Sequence, residues 1–236
     1  MIERFCPKCG ATGKPLIKGF CLNCFLRNHP DLVKVDKVLD LGQCKRCGKV
    51  RVKSHWVELT NMHLIEFVES MVKVKELKDV DIGVEFEILN DKQTKAKILV
   101  KGVLDGSMVT FEKEALIKFK SVVCDPCMRI NSSYREATLQ VRGFEGTPKS
   151  HFEQAFREVN SILAAEYKKD PLARIVKVED LKHGFDVWIG SKRAGKIVVE
   201  SLAKQFKGKI KASTTLYGVD KQGKKKLRYT FMVRIN

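Results

Sequence analysis

The chain of 236 residues carries 45 Lys and Arg against 28 Asp and Glu, a formal net charge of +17 at pH 7, and 44 % of its residues are hydrophobic. That share supports folded cores, and the length allows two to three small domains. No run approaches the ~20 apolar residues of a membrane span, so no membrane partner is expected. A positive surplus of this size favours a polyanion, with nucleic acid ahead of other partners.

The cysteines organise the chain. Four Cys-x-x-Cys pairs, Cys6/Cys9, Cys21/Cys24, Cys44/Cys47 and Cys124/Cys127, use all 8 cysteines. A two-residue spacer lets both sulfurs of a turn face one ion about 2.3 Å away, and four such sulfurs complete tetrahedral zinc. Eleven residues separate Cys9 from Cys21, a normal gap for one site, whereas 76 separate Cys47 from Cys124, room for an inserted small domain. Two structural zinc ions are therefore expected, on Cys6, Cys9, Cys21 and Cys24 and on Cys44, Cys47, Cys124 and Cys127. Spacing alone leaves open an exchange of pairs between the sets. The frames Cys6-Pro7-Lys8-Cys9-Gly10 and Cys44-Lys45-Arg46-Cys47-Gly48 end on glycine, which reaches positive φ at little cost. Disulfides would need an oxidising compartment, and Met1-Ile2-Glu3-Arg4-Phe5 is no apolar signal segment, so a cytoplasmic location is expected. Thioredoxin-like chemistry would use one pair in a βαβ setting, not four. An iron–sulfur cluster could use the same sulfurs but would colour the protein. Catalytic zinc keeps an open position, and two complete sets leave none.

Residues 1–42 are expected to form the first zinc module, with Phe25 and Leu26 as a minimal core and a turn at Asn28-His29-Pro30-Asp31. His29 reads as a polar loop residue because four sulfurs already fill the site. Residues 43–145 are expected to hold the second module with its β-rich insert. Val50 and Val52 alternate with Lys49, Arg51 and Lys53 as a strand. Trp56 is read as packing on the metal knuckle, with a base-stacking face as the alternative. The apolar spacing of residues 63–71 predicts a helix. Val84, Phe86 and Ile88, then Ile98 and Val100, alternate around a turn at Asn90-Asp91, and Leu104-Asp105-Gly106-Ser107 signals a second hairpin leading to Val109 and Phe111. After the fourth pair, Ala137, Leu139 and Val141 mark one more strand, and residues 143–148 read as a linker.

Residues 149–236 change pattern. Ser150 and Glu153 form an S-x-x-E capping box, and Phe152, Ala155, Phe156, Val159, Ile162 and Leu163 trace one helix face ending near Asp170-Pro171. Strands at 175–178 and 185–189, a helix at 192–206, and strands at 210–216 and 229–235 follow. The order αββαββ predicts two helices on one face of a mainly antiparallel sheet. The fold class is α+β: four-cysteine modules of zinc-ribbon or treble-clef type with inserted antiparallel strands, then the αββαββ domain.

Gly190-Ser191-Lys192-Arg193-Ala194-Gly195-Lys196 fits G-x-x-x-x-G-K, but Ile197 stands where a P-loop needs Ser or Thr for Mg²⁺. The surviving use is a helix start with free amides beside Lys192, Arg193 and Lys196, a seat for one backbone phosphate. Lys221, Lys224, Lys225, Lys226 and Arg228 make a basic hairpin loop over residues 220–226, read as a positioning contact to RNA phosphates. The carboxylates Glu85 and Glu87 read as solvated, the five histidines are scattered, and no free cysteine or nucleophile motif remains. No enzymatic activity and no small-molecule substrate are expected.

These residues resemble the nonsense-mediated-decay protein 3 family over nearly the whole chain. The likeness rests on C-P-K-C-G, C-L-N-C, C-K-R-C and C-D-P-C in this order, on His55-Trp56, on residues 134–142 (YREATLQVR), on 183–189 (HGFDVWI) and on 229–235 (YTFMVRI). The resemblance implies a zinc-bearing protein on the joining face of the large ribosomal subunit, around the tRNA sites, with ribosomal RNA and ribosomal proteins as partners and no catalysis. Eukaryotic members are export adaptors that continue into further β domains and a signal-bearing tail. This chain stops at Asn236, so export is not expected and the short form looks archaeal, a monomer off the ribosome acting in assembly, quality control or stability. The alternative is a zinc-ribbon nucleic-acid-binding protein working in transcription or on free RNA. An RNA-processing enzyme ranks last, because no residues present themselves for it.

Overall fold

The computed structural model describes residues 5–219 and 221–235 of this α+β chain, which divides into two units, Met1–Val123 and Cys124–Asn236. In the first, a ribbon of β1 (Leu16–Ile17) and β2 (Phe20–Cys21) turns through Lys18 and Gly19, both at positive φ, and runs straight into α1 (Leu22–Asn28). Seven residues without a side-chain cap do not make a stable helix in water. Tertiary contacts hold it instead, with Phe25 buried among Ile17, Leu32, Leu104 and Val109.

The chain continues through β3 (Val33–Lys34), β4 (Val38–Cys44), β5 (Val50–Val52), β6 (His55–Val57), α2 (Asn61–Met71) and β7 (Lys73–Val74). The Thr60 hydroxyl caps α2 by accepting from the His63 amide at 3.3 Å. Two long hairpins then follow, β8 (Lys78–Asn90), β9 (Gln93–Leu104) and β10 (Ser107–Val122). The sheet order is β6-β5-β4-β10-β9-β8, with β3 and β7 paired apart from it. β9 shows why it is interior: Thr94, Ala96, Ile98, Val100 and Leu104 all fall on its buried side. Ala96, Ile98 and Val100 join Leu39, Leu41, Val50, Val52, Leu64, Phe67, Val68 and Ile117 in one core. The β4–β10 pairing is parallel and runs from Leu116 opposite Val38 to Val122 opposite Cys44. The expected antiparallel insert is present, and its last strand returns along β4.

The second unit runs α3 (Asp125–Asn131), β11 (Ala137–Gly143), α4 (Lys149–Tyr167), β12 (Ile175–Leu181), β13 (Gly184–Ile189), α5 (Lys192–Gln205), β14 (Lys209–Val219) and β15 (Lys225–Ile235). The sheet order is β12-β13-β11-β15-β14; only β11 and β15 are parallel. Ala155, Val159 and Leu163 of α4 and Ala194, Val198, Val199 and Leu202 of α5 bury against Leu139, Val141, Val187, Ile189, Phe231 and Val233.

Three expectations change. The strand around Ala137–Val141, placed in the second zinc module from sequence, is the centre of this second sheet, flanked by β13 and β15. Leu139 and Val141 are fully buried, each worth about 1.5–3 kcal/mol, and a metal knuckle with a minimal core offers no such burial. The Ser150/Glu153 capping box does not form, because α4 begins earlier, with Pro148 as N-cap and no side-chain cap. The basic loop of residues 220–226 is shorter than expected, since β15 already starts at Lys225 and takes Lys225 and Lys226 into the strand; Asp220 lies outside the described residues.

Candidate metal centres and basic surfaces

Each four-cysteine set is built from a knuckle and a helix start. In the first knuckle the Cys6 amide donates to the Ala11 carbonyl at 2.9 Å and the Gly10 amide donates back to the Cys6 carbonyl at 2.8 Å. The second repeats the pattern: Cys44 amide to Lys49 carbonyl at 2.8 Å and Gly48 amide to Cys44 carbonyl at 2.8 Å. Gly10 and Gly48 have φ of 71° and 76°, the turn conformation that glycine supplies without strain. The other pair of each set lies on a short helix. Cys21 is the N-cap of α1 with Cys24 inside it, and Cys124 is the N-cap of α3 with Cys127 inside it.

The sulfurs of Cys6, Cys9, Cys21 and Cys24 all lie within 4.8 Å of one another, and so do those of Cys44, Cys47, Cys124 and Cys127. The exchange of pairs that spacing left open is thereby decided. Register explains the long reach in the second set: Val122 lies opposite Cys44, and the Lys45 amide donates to the Val122 carbonyl at 2.9 Å. Tetrahedral ligands at about 2.3 Å stand about 3.8 Å apart, and the Cys9 and Cys21 sulfurs are 3.6 Å apart. The donor sets fit a tetrahedral thiophilic ion. In the first set the Cys21 amide, with those of Cys9 and Lys8, holds the Cys6 thiol down to about 6 against burial. Burial, followed by the neighbouring thiols, pushes Cys24 up to about 12. Arg174 Nη1 reaches the Cys127 sulfur at 3.5 Å and offsets thiolate charge there. His29 stays out of the first set, with Nδ1 2.9 Å from the Phe25 carbonyl and its ring stacked on Phe25 at 4.1 Å. Trp56 is half-buried in β6, paired with Arg51.

The expected phosphate seat at α5 is not open. Glu136 Oε2 accepts from the Lys192 amide at 3.0 Å, and the Ser191 hydroxyl accepts from the Ala194 amide at 3.2 Å. A carboxylate and a hydroxyl already satisfy this helix start, as capping requires. The three cations there are engaged: Lys192 Nζ lies 3.9 Å from the Tyr229 ring centre, Arg193 pairs with Glu166 at 2.9 Å, and Lys196 pairs with Glu200 at 3.7 Å. The two glycines of the P-loop-like run serve packing. A Cβ on Gly190 would meet the Leu172 carbonyl oxygen at 2.5 Å, and one on Gly195 would meet Ala137 Cβ at 2.7 Å.

The other predicted cations spread along the β14–β15 ribbon. Lys221 and Lys224 are exposed in its turn, Lys225 and Lys226 are exposed at the start of β15, and Arg228 lies half-buried with Cζ 4.6 Å from the Tyr217 ring centre. Sequence reasoning passed over Arg135, whose Cζ is 3.4 Å from the centre of the Trp188 ring. The sequence signals only that Trp188 faces away from Phe185, Val187 and Ile189, all buried, on the opposite face of β13, and nothing in it points to Arg135 as the partner.

Comparison with known proteins finds one family over both parts of the chain. The family description "NMD3, N-terminal domain" matches residues 6–132, and "NMD3, second domain" matches residues 134–235. Proteins named "60S ribosomal export protein NMD3" from Mus musculus, Homo sapiens and Xenopus laevis are 24 %, 23 % and 23 % identical over 223 residues. The alignments cover 91 % of this chain and 42 % of each relative, so the chain spans less than half the length of the curated relatives it matches.

Proposed function

The chain belongs to the NMD3 family, and from that premise we propose that it is a non-enzymatic, zinc-binding factor of the large ribosomal subunit. It binds ribosomal RNA and ribosomal proteins on the joining face, around the tRNA sites, and acts in assembly, quality control or stability. The export role in the relatives' name is not part of the proposal. The carrying observation is that the stretch shared with ribosomal export proteins contains both four-cysteine sets together with a strong cationic surplus. Zinc supplies a tetrahedral crosslink between each knuckle and its helix start, and all eight thiolates are consumed by that structural role. The cysteines themselves orient the turns and hold no substrate position. Lys221, Lys224, Lys225, Lys226 and Arg228 present charge for RNA phosphates along the ribbon. Lys192, Arg193 and Lys196 contribute long-range field more than a phosphate seat, because their neighbours already use them. The factor works in the cytoplasm and is a monomer away from the ribosome.

Gradient sedimentation with purified large subunits tests this. The protein is expected to travel with large subunits at about 50 mM salt and to leave them progressively toward about 200 mM, because each neutralised phosphate releases a counterion. Remaining with free protein at low salt overturns the reading, and preference for naked RNA or DNA over subunits selects a free nucleic-acid binder instead.

A further inference from the structure

Helices α4 and α5 of the second unit cover one face of its sheet, that of Ala137, Leu139 and Val141. Alternation sends Trp188, Arg142, Arg228, Arg234, Lys209 and Lys211 to the other face, as the strand registers require. The acids there are already engaged: Glu179 pairs with Lys177 at 2.5 Å and Asp186 with Arg142 at 2.6 Å. Among the described residues no carboxylate pairs with Arg228, Arg234, Lys209 or Lys211, so the face is positive after internal pairing.

Its cations are layered on aromatic rings. Arg135 Cζ lies 3.4 Å from the Trp188 ring centre and Arg228 Cζ 4.6 Å from that of Tyr217. These layers adjoin. The Arg135 guanidinium is pushed below its usual value by burial and then by the charge of Arg228, with Glu179 opposing them. The Nε atoms of Arg135 and Arg228 are shut off from solvent and have no acceptor among the described residues. Two neighbouring guanidinium groups that repel each other gain from an anion placed against them. A guanidinium held flat on a ring turns its outer plane outward, where an unpaired base can stack.

We propose that this sheet face, opposite α4 and α5, binds a single-stranded stretch of RNA, its bases stacking on the Arg135–Trp188 and Arg228–Tyr217 layers and its phosphates meeting Lys209, Lys211 and Arg234. The proposal rests on the reading of the chain as a ribosomal RNA binder and names the kind of RNA one surface takes. A duplex keeps its base planes inside its own stack and can use only the charge.

The test uses the full zinc-loaded chain and a labelled ten-nucleotide RNA of mixed sequence, offered single-stranded and as a duplex. The single strand is expected to bind at least about tenfold more tightly than the duplex. The double variant Arg228→Glu with Lys211→Glu is expected to lose at least about tenfold in single-strand affinity with an unchanged melting temperature. In a Trp56→Phe background Trp188 is the sole tryptophan of the 2 present, and saturating single strand should quench its emission. Equal affinity for both RNA forms, an unaffected double variant, or unquenched Trp188 overturns the proposal. So does an acidic peptide that competes as well as RNA, which would give the face to a protein partner. Sedimentation with large subunits is run in parallel on the wild type. If it fails while single-strand binding and quenching hold, the ribosomal reading falls and the RNA face stands; if it succeeds while they fail, the reverse is true.

Discussion

Gly190 shows how a residue can imitate one role and perform another. An alanine Cβ there would lie 2.5 Å from the Leu172 carbonyl oxygen and 2.7 Å from Ile130 Cδ1. Backbone cannot step aside as a side-chain tip can, so Gly190→Ala should destabilise the protein by about 1–3 kcal/mol. A lowered urea midpoint would register this, and an unchanged one would mean that the close approach is not obligatory. The cysteines give a sharper residue-level prediction. Cys6→Ser and Cys44→Ser each replace a thiolate with a hydroxyl that stays protonated at neutral pH and binds zinc poorly. On the proposed zinc reading, each variant should carry one zinc per chain against two for the parent, one for each sulfur set. Elemental analysis decides it, and two ions retained in either variant would remove that set as a site.

Helix starts illustrate the element scale. α5 begins with two of its amides satisfied, one by the Ser191 hydroxyl and one by the Glu136 carboxylate. Ser191→Ala deletes the first of these acceptors in a buried position, and the loss should be about 1 kcal/mol, within the 0.5–2 kcal/mol range for such caps. Thermal unfolding of the two proteins side by side would measure it, and an unshifted transition would show that water or Glu136 compensates. At this scale the sequence was legible where the signal is local. Periodicity located α2, α4 and α5, and alternation located β9 through Ile98 and Val100 because one strand face must be buried. Pairings between distant strands left no local trace. Nothing in Val38–Cys44 announces that it runs parallel to Leu116–Val122, and nothing near Ala137 says that its neighbours come from β13 and β15. The cysteine sets were legible because ligand chemistry imposes its own spacing. The Arg135–Trp188 layer was not, since it joins residues 53 positions apart that only the β11–β13 register brings together.

The whole molecule contains cores of two kinds, and they answer differently to metal removal. Around the first cysteine set the buried cluster consists of Cys6, Cys21 and Cys24, with only Ala11, Leu16 and Phe20 packed beside them. So few apolar side chains cannot offset the entropy of ordering a cysteine-rich segment, which amounts to about 1–2 kcal/mol per residue for the backbone alone. A zinc ion, worth on the order of 10 kcal/mol to such a module, would supply the difference. The second unit's sheet stands apart from this dependence, because its core runs from Ala137 to Ile235 through two amphipathic helices and includes no cysteine. Treatment with a strong chelator should therefore abolish protection of the Cys6 and Gly10 amides in the first knuckle and weaken it in β1, β2 and α1, which Phe25 still anchors on Ile17, Leu32, Leu104 and Val109, while α4, α5 and β11–β15 keep most of theirs. Acid should do the same, since protons compete with the ion for thiolates as pH falls. Hydrogen exchange resolved by peptide separates the outcomes. Protection lost everywhere at once would mean that the second sheet also depends on metal, and protection kept throughout would mean that the sulfurs hold their turns without an ion.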